Sequence, residues 1–129
     1  MNRDEMKKRT KQFGLRVLKP VAALPRGLEG QIVGRQLLRA GTSVGANYRA
    51  ACRGRSKAEF IAKLGNVEEE ADESAYWLEI IMDSGMMQAS LVTPLHREAE
   101  ELTAIMASSK MTARRNSADR KSQIENRRS

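Results

Sequence analysis

A chain of 129 residues has room for one domain with a modest core, which excludes two ordinary domains, and its single cysteine excludes an internal disulfide. Aromatic residues make up only 4% while Ala, Leu, Glu, Arg and Met are abundant, a usage that favours helices over strands. The net charge of +7 is segregated: residues 59–101 hold eleven acidic side chains against Lys63 and Arg97, and the other twenty-one Lys and Arg stand outside that stretch beside five acidic residues.

The opening Met-Asn-Arg-Asp-Glu-Met-Lys-Lys-Arg lacks the apolar centre of a signal peptide, and no run approaches the ~18 apolar residues of a membrane span. A soluble cytoplasmic protein with no membrane partner is expected. A first helix is expected over about residues 4–24, where Phe13, Val17, Val21 and Leu24 recur at spacings of four and three and Pro25 closes the pattern. Pro20 lies inside it and predicts a kink.

The second helix is expected over about residues 28–53, with Val33, Leu37, Ala40, Val44, Tyr48 and Ala51 as a near-heptad stripe. Gly34, Gly41, Ser43, Gly45, Ala46 and Ala50 are small, and each interior glycine costs roughly 0.8–1 kcal/mol relative to alanine. Close approach of a neighbouring helix is the simplest reason for them; a helix weakened or broken around residues 41–45 is the alternative. The third helix has the cleanest signature. Ser56 and Glu59 form a capping box, Phe60, Leu64, Val67, Ala71, Ser74, Leu78 and Ile81 follow at four-three spacing, and Gly85 is the stop, which makes a rod about 40 Å long. The fourth begins between Ser90 and Pro94, turns Leu95, Ala99, Leu102, Ile105 and Met106 inward, and fades after Met111. Beyond it, Ile124 is the one aliphatic residue among Arg, Lys, Ser, Asn and Asp, so disorder is expected there. Short breaks between amphipathic rods predict an all-α, antiparallel up-down-up-down four-helix bundle over residues 1–112, followed by a disordered basic tail over residues 113–129.

Three strings within these helices, QLLRAGTSVGANYR at 36–49, RSKAEF at 55–60 and EADESAYWL at 70–78, are specific enough to carry a likeness. From about Phe13 to Arg114 the chain resembles the four-helix bundle proteins related to the 23S rRNA intervening-sequence protein, relatives of which include the accessory variability protein of diversity-generating retroelements. It departs from the common pattern at Gly45, where proline is frequent, and at Ala50, where glutamate is frequent. The resemblance implies a ring-like homopentamer of antiparallel bundles, and a basic surface that in the retroelement relative engages nucleic acid and a reverse transcriptase.

Catalytic chemistry finds little to stand on in the residues themselves. His96, beside Arg97 and Glu98, reads as a solvated first-turn side chain, and a di-iron bundle site needs two histidines. Cys52 is the sole thiol, which leaves zinc without ligands and a nucleophile without a base. No catalytic residue, metal or cofactor is expected, and the protein reads as a non-enzyme. The run Glu68, Glu69, Glu70, Asp72 and Glu73 reads as a solvated face or, in a ring, as the partner of Arg35, Arg39, Arg49 and Arg53 on the next subunit. Asn47 reads as an amide that fixes helix register, with a ligand contact as the alternative. Tyr76 and Trp77 point in different directions, so one belongs to the core and the other to an interface; Trp77 is assigned with Arg35, Arg39, Asn47, Arg49 and Arg53 to the oligomer contact.

The remaining signal is basic. Lys7, Lys8, Arg9, Lys11, Arg16 and Lys19 crowd the first helix, and Lys110, Arg114, Arg115, Arg120, Lys121, Arg127 and Arg128 crowd the C-terminal end. In an antiparallel four-helix bundle these two clusters fall at the same end, where they would form one patch that a ring repeats. Structured nucleic acid, RNA or an RNA–protein complex in the first place and DNA in the second, is the expected ligand. Few aromatics interleave with these cations, so charge and shape rather than base stacking would drive it. Two readings compete with this: a solvated terminus that merely aids solubility, and a scaffold that recruits another polypeptide without touching nucleic acid.

Overall fold

A computed structural model describes residues 2–128, except the side chains of Arg127 and Arg128. Its helices follow one another as α1 (Arg3–Ala23), α2 (Leu28–Cys52), α3 (Lys57–Ser84) and α4 (Ala89–Arg128), with no strand among the described residues. Connections of four residues leave each helix antiparallel to its predecessor. Each packs along the one before it, α4 meets α1 over a much shorter stretch, and the diagonal pairs stay further apart. The expected up-down-up-down bundle is present.

Local chemistry sets the helix ends. Asn2 caps α1 by accepting from the Glu5 amide at 2.8 Å, and Ser56 caps α3 by accepting from the Glu59 amide at 3.1 Å. The Glu59 carboxylate reaches the amide of Arg55 at 3.1 Å, one residue before the position a capping box uses, and Lys63 lies beside it at 3.2 Å. That Arg55 hydrogen bond, then Lys63, holds the Glu59 carboxyl below the usual range. α3 stops at Gly85, whose φ of 76° is the left-handed conformation glycine adopts without strain. α1 remains helical on both sides of Pro20, whose ring is buried.

α2 is unbroken through its glycines, because they are where α1 lies closest. A Cβ on Gly45 would stand 3.2 Å from the backbone of Thr10 and Lys11, and one on Gly41 would stand 2.7 Å from Val17 Cγ2. The close-approach reading therefore holds and the broken-helix alternative does not. The core draws Phe13 and Val17 from α1, Leu37 and Val44 from α2, Leu64, Leu78 and Ile81 from α3, and Val92, Leu102 and Met106 from α4. Two hydroxyls are buried among them without loss, since Thr10 donates to the Met6 carbonyl and Ser74 to the Glu70 carbonyl, each at 2.8 Å.

One expectation differs from what is seen. Instead of disorder from residue 113, α4 continues in helical form to Arg128. Ala113 is the last buried side chain, and from Ala118 to Asn126 every side chain is exposed. The low burial was foreseeable, but a helix already nucleated needs no tertiary contact to propagate, and Ala, Arg, Lys, Gln and Glu propagate it well.

Two outcomes follow for stability in urea. Gly45→Val should lower the unfolding free energy by about 1–3 kcal/mol by forcing α1 away. Gly65→Ala should raise it by about 0.5–1 kcal/mol, since its Cβ would meet nothing nearer than Lys110 Cδ at 3.9 Å. A third outcome concerns pH. Burial, with Cys52 adjacent, pushes the Tyr48 hydroxyl up to about 12. The folded chain thus holds that proton more tightly than the unfolded one, so this contribution is intact below about pH 10 and is lost as pH rises toward 12. Tyr48→Phe should flatten that alkaline loss in thermal melts.

Candidate nucleic-acid interface

The start of α1, the end of α2, the turn into α3 and the middle of α4 converge at one end of the bundle. A cleft there is lined by Arg3, Tyr48, Lys57, Phe60, Ser109 and Thr112, and the Arg3 guanidinium lies 4.5 Å above the Phe60 ring. The antiparallel course therefore does bring the N-terminal basic cluster and the C-terminal half of α4 to the same end. Arg114 and Arg115 are exposed just past the last buried turn of α4, with Arg120 and Lys121 further along it. The side chains of Arg127 and Arg128 lie outside the described residues.

The same end collects cations that sequence reasoning did not place there. Arg49 and Arg53 close α2, and Arg55 and Lys57 flank the Ser56 cap, all four exposed. The alternation Arg53-Gly54-Arg55-Ser56-Lys57 at a helix break was the available signal, since a turn at a bundle end projects its side chains outward.

Two of the residues assigned to nucleic acid are already occupied. Arg9 grips Glu98 with two hydrogen bonds of 2.7 and 2.9 Å and approaches Glu101 at 3.5 Å, which ties α1 to α4 and holds the guanidinium charged through its bond to Glu98. Lys110 Nζ sits 2.6 Å from Glu68 Oε1, an oxygen shielded from solvent, and so serves as the counter-ion of α3. Lys7, Lys8, Lys11, Arg16 and Lys19 are exposed and have no acidic partner among the described residues. Arg16 and Lys19 lie along the shaft, about 20 Å from Arg3 at 1.5 Å per residue, so the α1 cations form a stripe leading away from the end and not a single cap.

The contacts assigned between subunits are partly made inside one chain. Arg39 pairs with Glu70 at 3.3 Å and with Glu73, because α2 and α3 are neighbours and these residues face each other across the seam. Burial pushes the Glu70 carboxyl up, whereas at Glu73 the same effect is outweighed by Arg39 and the carboxyl is held below its usual range. Trp77, assigned to the oligomer contact, is partly buried against the core, while Tyr76 is the exposed ring. The Asn47 side chain is half-buried and makes no hydrogen bond among the described residues, so the register-fixing amide bond is not made within this chain. Arg35 is exposed near the α1–α2 turn, away from Arg49 and Arg53 at the other end of α2.

His96 is not the solvated side chain expected. Its ring is 16% exposed and bridges α4 and α3, with Nε2 3.0 Å from Glu79 and Nδ1 3.2 Å from Glu100. Cys52 is half-buried beside Tyr48. No group of three or more potential metal ligands clusters among the described residues, and none of their helices is long and apolar enough to cross a membrane.

Curated proteins include no match to this chain. Among solved structures, a protein of unknown function from the S23 ribosomal protein family of Bacteroides thetaiotaomicron is similar, with a TM-score of 0.75 and 29% sequence identity over 81% of this chain and 96% of that one. A model of the family described as 23S rRNA-intervening sequence protein matches residues 3–108, which span all four helices and end before the exposed part of α4. With four antiparallel helices in place and most of its length matched, the chain belongs to the 23S rRNA-intervening sequence protein family.

Proposed function

We propose that this protein is a non-enzymatic helical bundle that engages structured nucleic acid, RNA or an RNA–protein complex, through its basic end. The observation that carries the reading is the gathering of Arg3, Arg53, Arg55 and Lys57 from three separate elements beside Arg114 and Arg115, without carboxylate partners, while Arg9 and Lys110 are held by carboxylates. Assembly of identical copies, five in the homopentamer that the resemblance implies, would repeat this end and make weak phosphate contacts multivalent. The exposed part of α4 lies beyond the family match, so it can be removed without touching the bundle.

Fluorescence anisotropy with a structured RNA across a salt series tests this. The full chain should show a steep fall of log affinity with log salt, and a chain ending at Ala113 a shallower one, because it releases fewer counterions. No binding by either form would remove the reading. The pairing pattern makes a further distinction. Arg53→Glu with Lys57→Glu should weaken RNA binding and leave the urea midpoint unchanged. Lys110→Ala should leave binding almost unchanged and lower stability by about 1–3 kcal/mol, since it strands the shielded Glu68 oxygen.

A further inference from the structure

Along the outer side of the α1–α2 seam runs a groove of about 580 Å³. Gly14, Gly45 and Ala46 floor it where the two helices come closest. Leu15 and Leu18 line one wall, 52% and 47% exposed, and Lys7, Lys8, Lys11 and Arg49 form the rim. None of these four cations has an acidic partner among the described residues, in contrast to Arg9, Arg39, Lys63 and Lys110.

α3 turns the complementary surface outward. Glu69, Asp72, Tyr76 and Asp83 follow one another at three, four and seven residues, which places them on one exposed face. The three carboxylates have no counter-ion among the described residues, while Glu68, Glu70, Glu73 and Glu79 are engaged by Lys110, Arg39 and His96. Tyr76 is 53% exposed, and an edge contact with Trp77, centroids 5.1 Å apart, holds its ring. The ridge from Glu69 to Asp83 is about 21 Å long and the groove from Lys7 to Leu18 about 17 Å, so the two match over some three helical turns.

We propose that the α1–α2 groove of one copy receives the Tyr76 ridge of a second copy, with Lys7, Lys8, Lys11 and Arg49 facing Glu69, Asp72 and Asp83. This deepens the self-association within the reading above by naming its two surfaces. Tyr76 supplies an apolar body to Leu15 and Leu18 and keeps its hydroxyl at the wet rim. Nucleic acid is the poorer occupant, because the groove holds no aromatic ring for a base and its leucines gain nothing from phosphate. The outward face of α3 and the α1–α2 seam lie on different sides of the bundle. The contact is therefore head-to-tail: each added copy leaves one groove and one ridge open until a ring closes.

Light scattering on the full chain, over a range of concentrations and at low and high salt, tests this with Lys11→Glu, Asp72→Lys and the double variant K11E/D72K. The wild type should form assemblies larger than a dimer that dissociate as salt rises. Each single reversal should raise the concentration needed for assembly by about tenfold or more, and the double variant should regain it. All sites are exposed, so circular dichroism should show unchanged helix content. A monomeric wild type, assembly indifferent to both reversals, or a double variant no better than the singles would each overturn the proposal. So would a monomeric wild type that binds an acidic amphipathic peptide, which would give the groove to another protein. The two readings fail separately: assembly without RNA binding removes the nucleic-acid reading and leaves this one, and salt-sensitive RNA binding by a chain that stays monomeric does the reverse.

Discussion

α1 is held to the rest of the bundle chiefly along α2; at Gly45 that contact runs almost backbone to backbone, and at Gly41 the Val17 side chain fills the space a Cβ would need. The helix propensity lost at each glycine is of order 1 kcal/mol, and it is offset by dispersion contacts that a larger side chain would prop apart. Much else is set by this one approach. It seats Met6, which with Met106 lines a cavity between the helices at the basic end. It brings Lys7, Lys8 and Lys11 beside Arg49, and it floors the outer groove with backbone. Because α1 has only a short contact with α4, no second seam could hold it in place if this one were opened.

Charge is the second organising feature. Seen along the chain, the acidic middle and basic ends look like one dipole, but folding divides each sign into two classes. Arg9, Arg39, Lys63 and Lys110 are matched with carboxylates of the same chain, and His96 bridges two more. Apart from Lys110, whose partner oxygen is shielded, such partly exposed pairs are individually worth little, and those that join two helices help to orient them. Part of what is left over is grouped: Arg53, Arg55 and Lys57 at the basic end, Lys7, Lys8, Lys11 and Arg49 along the α1–α2 groove, and Glu69, Asp72 and Asp83 on the outer face of α3. Those leftover charges are screened beyond about 10 Å at ordinary ionic strength, so they act on surfaces that come into contact.

The helices were legible because their signals are local. Four-three spacing placed nearly every buried residue of α3, Ser56 and Gly85 marked its ends, and glycines too costly for an isolated helix disclosed a close neighbour. Features that depend on how one helix is rotated against another were not legible. Arg39 could have met an acidic face in its own chain or in the next, and only the setting of α2 against α3 selects Glu70 and Glu73. Tyr76 and Trp77 stand about 100° apart at the margin of the stripe, so a small rotation decides which is covered. Arg9 and Lys110 read as free cations because their partners lie far away in sequence. At the C-terminal end, composition speaks to burial and says nothing about propagation from a helix already formed.

The overhang of α4 bears on what its cations can do. The sixteen residues from Ala113 to Arg128 in helical form span about 24 Å, close to the average end-to-end distance of a flexible chain of that length. The difference is in the distribution. A flexible segment sweeps a volume and offers its charges at every separation, whereas a helical spar continuous with the bundle holds Arg114, Arg115, Arg120 and Lys121 at fixed heights above the body. A partner that meets the spar and the bundle end together is gauged for length, and one too short to reach both meets only half of the charge.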